Sequence, residues 1–239
     1  MKRWLKFLIV VAVICVGASA SYFTWYFKPQ VPEKSALAVI TKLPVPEVAG
    51  TMSVEEAIAK RRSIREYVAK PLTLKQLSQL LWAAQGVTDP RWGFRAAPSA
   101  GATYPLEVYV VVGKNGVSEL EAGVYLYNPS DHTLGLLFTG DLRSELSSAA
   151  LGQKWVAEAP LNIVIAAVYE RTTVRYGERG TRYVHMEVGH AGQNIYLQAT
   201  ALGLGTVVVG AFEDVEVQKI LRLPEDHKPL YIIPVGYPE

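Results

Sequence analysis

Three arginines and a serine fall within five positions, at Arg61, Arg62, Ser63 and Arg65. A planar guanidinium grips phosphate oxygens through two parallel hydrogen bonds, and a serine hydroxyl adds another. If a helical turn continued through this stretch, Arg61 and Arg65 would share one side of it. The same composition also describes a solvated basic helix end that complements the macrodipole. A second stretch, Arg95 to Pro105, is built mostly from Ala, Gly, Ser, Thr and Pro and leads into a β-branched run. Small residues let a backbone approach a flat ligand, and proline fixes the loop that carries them. An ordinary tight loop has the same look. Ser99 and Gly101 also match half of the G-x-S-x-G nucleophile elbow, but Ala97 replaces the first glycine and no clear strand precedes Ser99. The third stretch carries Arg171, Arg175, Arg179 and Arg182 against Glu178, with Tyr176 and Gly177 in its middle. It reads either as a basic loop able to approach an anionic ligand or as a solvated charged turn.

Other chemistries are disfavoured. Gly203, Gly205 and Gly210 follow a helical pattern and precede or end a strand, whereas a dinucleotide fingerprint needs its glycines between a strand and the following helix. Gly203 and Gly205 read as helix stop and turn. Gly210, Ala211 and Phe212, after the strand, are better placed for close contact with a ligand. His132, His185, His190 and His227 lack metal spacing, and the single cysteine, Cys15, excludes a disulfide framework or a Cys-rich metal site. Lys plus Arg number 24 against 22 Asp plus Glu, a net charge of +2, too balanced for a dedicated nucleic-acid binder. Half of the 239 residues are hydrophobic, which excludes a disordered chain.

These stretches need elements to hold them. Ser53 with Glu56 and Thr73 with Gln76 have the capping-box spacing, so helices are expected from Val54 to about Arg62 and from Leu74 to about Ala84, the second stopped by Gly86. Strands are expected at 107–112, at 124–127 and 134–138 around the Asn128-Pro129-Ser130-Asp131 turn, at 161–168, 206–209 and 230–235. Helices are expected from an Asp141 cap to Ala150, from Tyr183 to Leu202 and from Asp214 to Leu221. Strands and helices mix without strict βαβ alternation, which predicts an α+β domain.

The N-terminus reads differently. Lys2, Arg3 and Lys6 precede 21 uncharged residues, Phe7 to Phe27, ending in an aromatic cluster. A helix of that length spans roughly 30 Å, a bilayer's hydrocarbon thickness. Residues 1–27 are therefore expected to be a transmembrane anchor or, if Ala18-Ser19-Ala20 is cut, a signal peptide. The basic flank places the remainder outside the cytoplasm. Residues 28–50, with four prolines, are expected to be a semi-rigid linker, and residues 51–239 the folded domain.

In order, Arg61-Arg62-Ser63-Ile64-Arg65, Pro98-Ser99-Ala100-Gly101-Ala102-Thr103-Tyr104-Pro105, Arg175-Tyr176-Gly177-Glu178-Arg179-Gly180, Gly189-His190-Ala191-Gly192-Gln193-Asn194, Gly210-Ala211-Phe212 and Pro234-Val235-Gly236 resemble the nitroreductase superfamily of FMN enzymes. More closely they look like its SagB/ThcOx-type thiazoline and oxazoline dehydrogenases. The resemblance spans the chain from about residue 51. It implies a nitroreductase-like α+β fold with a central sheet flanked by helices, and a homodimer with FMN in clefts between subunits. It also implies an FMN-dependent oxidoreductase acting on a small-molecule or peptide substrate such as a quinone, nitroaromatic or azoline. Arg61, Ser63 and Arg65, helped by Arg62, would hold the phosphate and ribityl chain. Pro98, Ser99, Ala100 and Gly101 would lie against the flavin ring, with Gly210 and Ala211 near its reactive edge. Arg175 and Tyr176 match a Lys-Tyr pair linked to proton removal. Arginine stays protonated, so only Tyr176 can inherit that role. The chain ends at Tyr237-Pro238-Glu239 without the basic cluster many of these enzymes carry there. A membrane-anchored protein of the same fold that binds flavin without turnover is the alternative.

Overall fold

The structure, a computed structural model, describes residues 39–239. The membrane or signal segment expected over 1–27, and the first part of the expected linker, lie outside the described residues. Among the described residues no helix is long and apolar enough to cross a membrane.

The centre is one antiparallel sheet. Its strands are β1 (Val39–Lys42), β2 (Tyr67–Val68), β5 (Leu106–Val112), β6 (Gly123–Asn128), β7 (Thr133–Thr139), β8 (Leu161–Ala167), β9 (Gly205–Thr206) and β10 (Lys228–Pro238), with β3 (Val87–Asp89) and β4 (Phe94–Arg95) forming a separate hairpin. The order is β1-β7-β6-β5-β8-β10-β2, and β9 adds to β10. Every residue of β8 is buried, because helices cover both sheet faces. Its continuous apolar run has that cause. Alternation sorts β5 and β8 between two cores. Val108, Val110, Ile163 and Ile165 face one core; Tyr109, Val111, Val164 and Ala166 face the other.

The helices are α1 (Val54–Lys60), α2 (Leu74–Gln85), α3 (Arg143–Ala149), α4 (Lys154–Glu158), α5 (Glu170–Tyr176), α6 (Arg179–Ala201) and α7 (Asp214–Ile220). Leu77, Leu80 and Leu81 of α2 join Val184, Val188, Ala191 and Ile195 of α6 in the first core. Leu146 of α3, Val156 of α4 and Val217 of α7 fill the second. The expected caps form. The Ser53 hydroxyl accepts from the Glu56 N–H at 3.1 Å, and Thr73 and Gln76 close a full capping box. Gly86 ends α2 for a different reason than a left-handed turn. Its φ is −62°, and any Cβ there would collide with the Trp82 ring.

Four expectations change. The linker reading fails from Val39 onward, because Val39–Lys42 pairs with β7 and the chain after it is strapped down. The Ser78 hydroxyl donates to the Pro44 carbonyl at 2.6 Å, and the Gln79 amide grips Glu47 at both backbone groups. The basic loop expected at 171–182 is instead α5 plus the first turn of α6. Thr172, 1% exposed, anchors α5 through a 2.8 Å hydroxyl contact with Thr103, a tertiary support with no local signature. Asp141 is not the N-cap residue of α3, which is Leu142, although its Oδ1 accepts from the Arg143 N–H at the helix start at 3.3 Å. It receives two hydrogen bonds from the Arg143 guanidinium, which hold its carboxyl down at about 2. Gly205 is not a turn residue; a Cβ there would press into Ile64 at 2.7 Å.

Candidate active site

Helix α1 ends at Arg61, whose guanidinium carbon stands 4.9 Å from the centre of the Tyr196 ring on α6. The chain then turns, and Ser63 bridges to Thr206 of β9 while the Ile64 N–H donates to the Thr206 carbonyl at 2.9 Å. The close fit of Gly205 on Ile64 permits that docking. The Ser63 hydroxyl lies 2.9 Å from the Tyr196 hydroxyl, which also accepts from the Val208 N–H at 2.9 Å. Arg65 stands 5.3 Å from the Trp155 ring. Arg62 turns back to donate to the Ala59 and Arg61 carbonyls, satisfying the open end of α1. The segment after Val208 and Val209 delivers Gly210 and Ala211 to the surface, with the Ala211 carbonyl held by the Gln153 amide at 2.8 Å. Tyr196 thus joins the arginine-serine motif to the segment that leads from Val208 to Gly210 and Ala211.

A second group forms at the other end of α6. Gly101 has φ +61°, a conformation that favours glycine. A Cβ added there would meet the Tyr176 hydroxyl at 2.6 Å and the Arg175 guanidinium at 2.7 Å. Arg175 donates to the Gly101 carbonyl at 3.1 Å, and the Tyr176 ring packs edge-on against Tyr183 of α6 with centroids 5.2 Å apart. Tyr183 and Tyr196 are thirteen residues apart, about 20 Å along the helix. The loop of Pro98, Ser99, Ala100 and Gly101 is therefore assembled with Arg175 and Tyr176, and the arginine-serine motif with Gly210 and Ala211, at two levels of one helix.

Between these levels lies a carboxyl that sequence reasoning missed. Glu187 is 2% exposed, and its Oε1 has no hydrogen-bond partner. Burial raises its pKa to about 7, opposed by a Ser99 hydrogen bond and by the charge of Arg95. The signal was present: Glu187 falls within the buried stripe of Val184, Val188 and Ala191, where a charged residue is rare without a partner. Ser99 is committed to this polar neighbourhood. Its hydroxyl accepts from the Tyr104 N–H at 2.9 Å, and no described histidine bonds to it, which removes the support a nucleophilic serine needs.

The histidines are mostly engaged. His132 contacts Ser78 and Tyr127, His227 contacts Tyr109, and His185 contacts Tyr169. Among the described residues no three His, Cys, Asp or Glu side chains gather as metal ligands. The arginine-serine end suits a phosphate. Arg61 and Arg65 stand over aromatic rings and form no ion pair with a described acidic residue, leaving their forks available to an anion. The glycine-bearing surface beside it suits a flat ring.

Comparison with known proteins identifies the family. Residues 58–237 match the nitroreductase family model. The chain is 55% identical over 185 residues to the nitroreductase-family protein MJ1384 of Methanocaldococcus jannaschii, covering 77% of this chain and 91% of that one. It is 30% identical over 157 residues to the Microcin B17-processing protein McbC of Escherichia coli, covering 64% of this chain and 58% of McbC. A nitroreductase-family crystal structure from Ralstonia eutropha superposes with a TM-score of 0.73 at 32% identity, covering 89% of this chain and 96% of that one. The chain belongs to the nitroreductase family of oxidoreductases.

Proposed function

We propose that this protein is an FMN-dependent oxidoreductase of the SagB/ThcOx-like branch, working as a homodimer anchored by its N-terminal segment with the domain outside the cytoplasm. The observation that carries the reading is the donor set at Tyr196 and Trp155: Arg61 and Ser63 at the first, Arg65 at the second. Two arginines free of described carboxylates and a serine hydroxyl stand beside the surface of Gly210 and Ala211. Arg61, Ser63 and Arg65 would hold the phosphate and ribityl chain, and Arg62, busy at the end of α1, would contribute charge alone. Pro98, Ser99, Ala100 and Gly101 would meet the ring face. When bound, FMN supplies two-electron chemistry by taking up or releasing hydride. The chain's own part is to bind, orient and handle protons. The two site levels along α6 favour the dimer, since each could complete the cleft of the other copy.

Arg175 bears on the substrate. It is spent on the Gly101 carbonyl, and a guanidinium offers donors and no acceptor, so a quinone or nitroaromatic acceptor fits better than an azoline that must lose a proton to a lysine. The kinship with McbC supports keeping peptides among the candidates. The test is an FMN titration of the full chain against its Arg61→Ala/Arg65→Ala variant. Losing charged hydrogen bonds worth about 1.5–3 kcal/mol each should weaken FMN binding at least tenfold. Equal affinities would refute the phosphate assignment.

A further inference from the structure

We infer that Tyr169 and His185 form the proton relay of this site, with Tyr169 Oη exchanging a proton with the substrate and His185 Nε2 receiving or returning it. The inference rests on the flavin reading above and adds residues to it. Two tyrosines bracket α5, and they differ in one respect. Tyr176 has no hydrogen-bond partner among the described residues, only ring and glycine contacts. Tyr169 lies 2.6 Å from His185 Nε2, with the two rings edge-on at 5.6 Å. A phenol transfers protons well at neutral pH only when a base stands beside it. Here the base is an imidazole reaching over from α6.

The pair lies between the two site levels. His185 is two residues beyond Tyr183, which packs on Tyr176. Along α6 the positions His185, Gly189, Gly192 and Tyr196 recur at intervals of four, three and four, so they share one face. Gly189 is open, with nothing within 4 Å of a built Cβ, and Gly192 rests against Tyr231 and Val208. Tyr231 is also the side chain nearest Gly210. The face therefore runs from the pair, over two glycines, to the ring that holds Arg61 and Ser63. The charge of Asp214, four residues after Gly210, reaches Tyr169 and joins burial in raising its pKa. Tyr169 is half-buried and His185 exposed, so the phenol can face the substrate while the imidazole exchanges with solvent.

Atoms and charge balance in either direction. In oxidation the substrate would give up a hydride, for which a bound flavin would be the acceptor, and a proton. The substrate's X–H bond breaks, the proton forms a bond to Tyr169 Oη, and the proton already on Oη passes to His185 Nε2 to give imidazolium. In reduction the same proton returns through Oη to the product anion.

The test uses the full chain loaded with FMN, reduced anaerobically by light and mixed with 1,4-benzoquinone in a stopped-flow instrument. Tyr169→Phe and His185→Gln should each slow flavin reoxidation at least tenfold, with FMN affinity within twofold of wild type. The double variant should be no slower than the singles, because the two act as one unit. Without flavin, the ¹⁵N imidazole spectrum should show His185 Nε2 as a hydrogen-bond acceptor, and Tyr169→Phe should move that signal. Rates within twofold of wild type, additive losses, or an unmoved Nε2 signal would overturn the relay while leaving the flavin assignment standing. Failure of the wild-type chain to bind FMN would overturn both.

Discussion

The buried carboxyl of Glu187 should leave a signature in the pH dependence of stability. In the unfolded chain it titrates near 4.5, and in the folded protein burial lifts it to about 7. The folded state then holds more protons than the unfolded state between those values, so stability falls as pH rises through that window. Below it both states are protonated, and above it both are ionised, so the contribution is flat at each side. A difference of roughly 2.5 units at 1.36 kcal/mol per unit gives about 3 kcal/mol as an upper bound. The unpartnered Oε1 is the structural cause, since an ionised oxygen without a donor meets the full cost of burial. Glu187→Gln removes the titration but keeps the shape. Its absolute stability shifts by whatever its amide gains or loses near Ser99, so the slope is the diagnostic. Urea unfolding of the full chain at pH 5, 6, 7 and 8 should show the wild type losing about 1.5–3 kcal/mol more than Glu187→Gln across the series. Parallel curves would refute the assignment of a strained, buried carboxyl.

Other expectations follow from single contacts. Gly101→Ala places a side chain at φ +61° and against Tyr176 and Arg175; it should cost about 1–2 kcal/mol, read by urea unfolding, and an unchanged midpoint would contradict the geometry. Gly205→Ala drives a methyl into the Ile64 Cβ at 2.8 Å; overpacking should cost about 1–3 kcal/mol and loosen FMN binding with it, because Ile64 seats the arginine-serine turn. Arg171 and Glu107 pair at 2.5 Å with side chains 15% and 13% exposed. Arg171→Met should destabilise by roughly 3 kcal/mol by stranding the carboxylate, and adding Glu107→Gln should recover much of that loss in the same unfolding assay.

Much of this fold was legible because its signals are local. The apolar run of β8 announced a strand covered on both faces, and the Ser53 and Thr73 caps set two helix starts. What escaped depends on tertiary contact. Helix α5 has no apolar stripe and is held by Thr172 against Thr103, so its charged sequence looked like a loop. Strand β1 sits in proline-rich chain and exists through its ladder with β7. Helix α4 is short and lacks a side-chain cap. At the site, the arginine-serine motif and the small-residue loop were visible as composition. Tyr196, which organises the first of them, looked like any aromatic on a long helix. The Tyr169–His185 contact needs the α5–α6 turn to close sixteen residues of separation, which no spacing rule encodes.

The most direct measurement is the visible absorbance spectrum of the full chain after incubation with FMN and desalting. A flavin spectrum at about one FMN per chain, bleached by anaerobic reduction and restored by a quinone, is the predicted result. A folded, colourless protein would contradict the proposal that Arg61, Ser63, Arg65 and the Gly210–Ala211 surface form a flavin site.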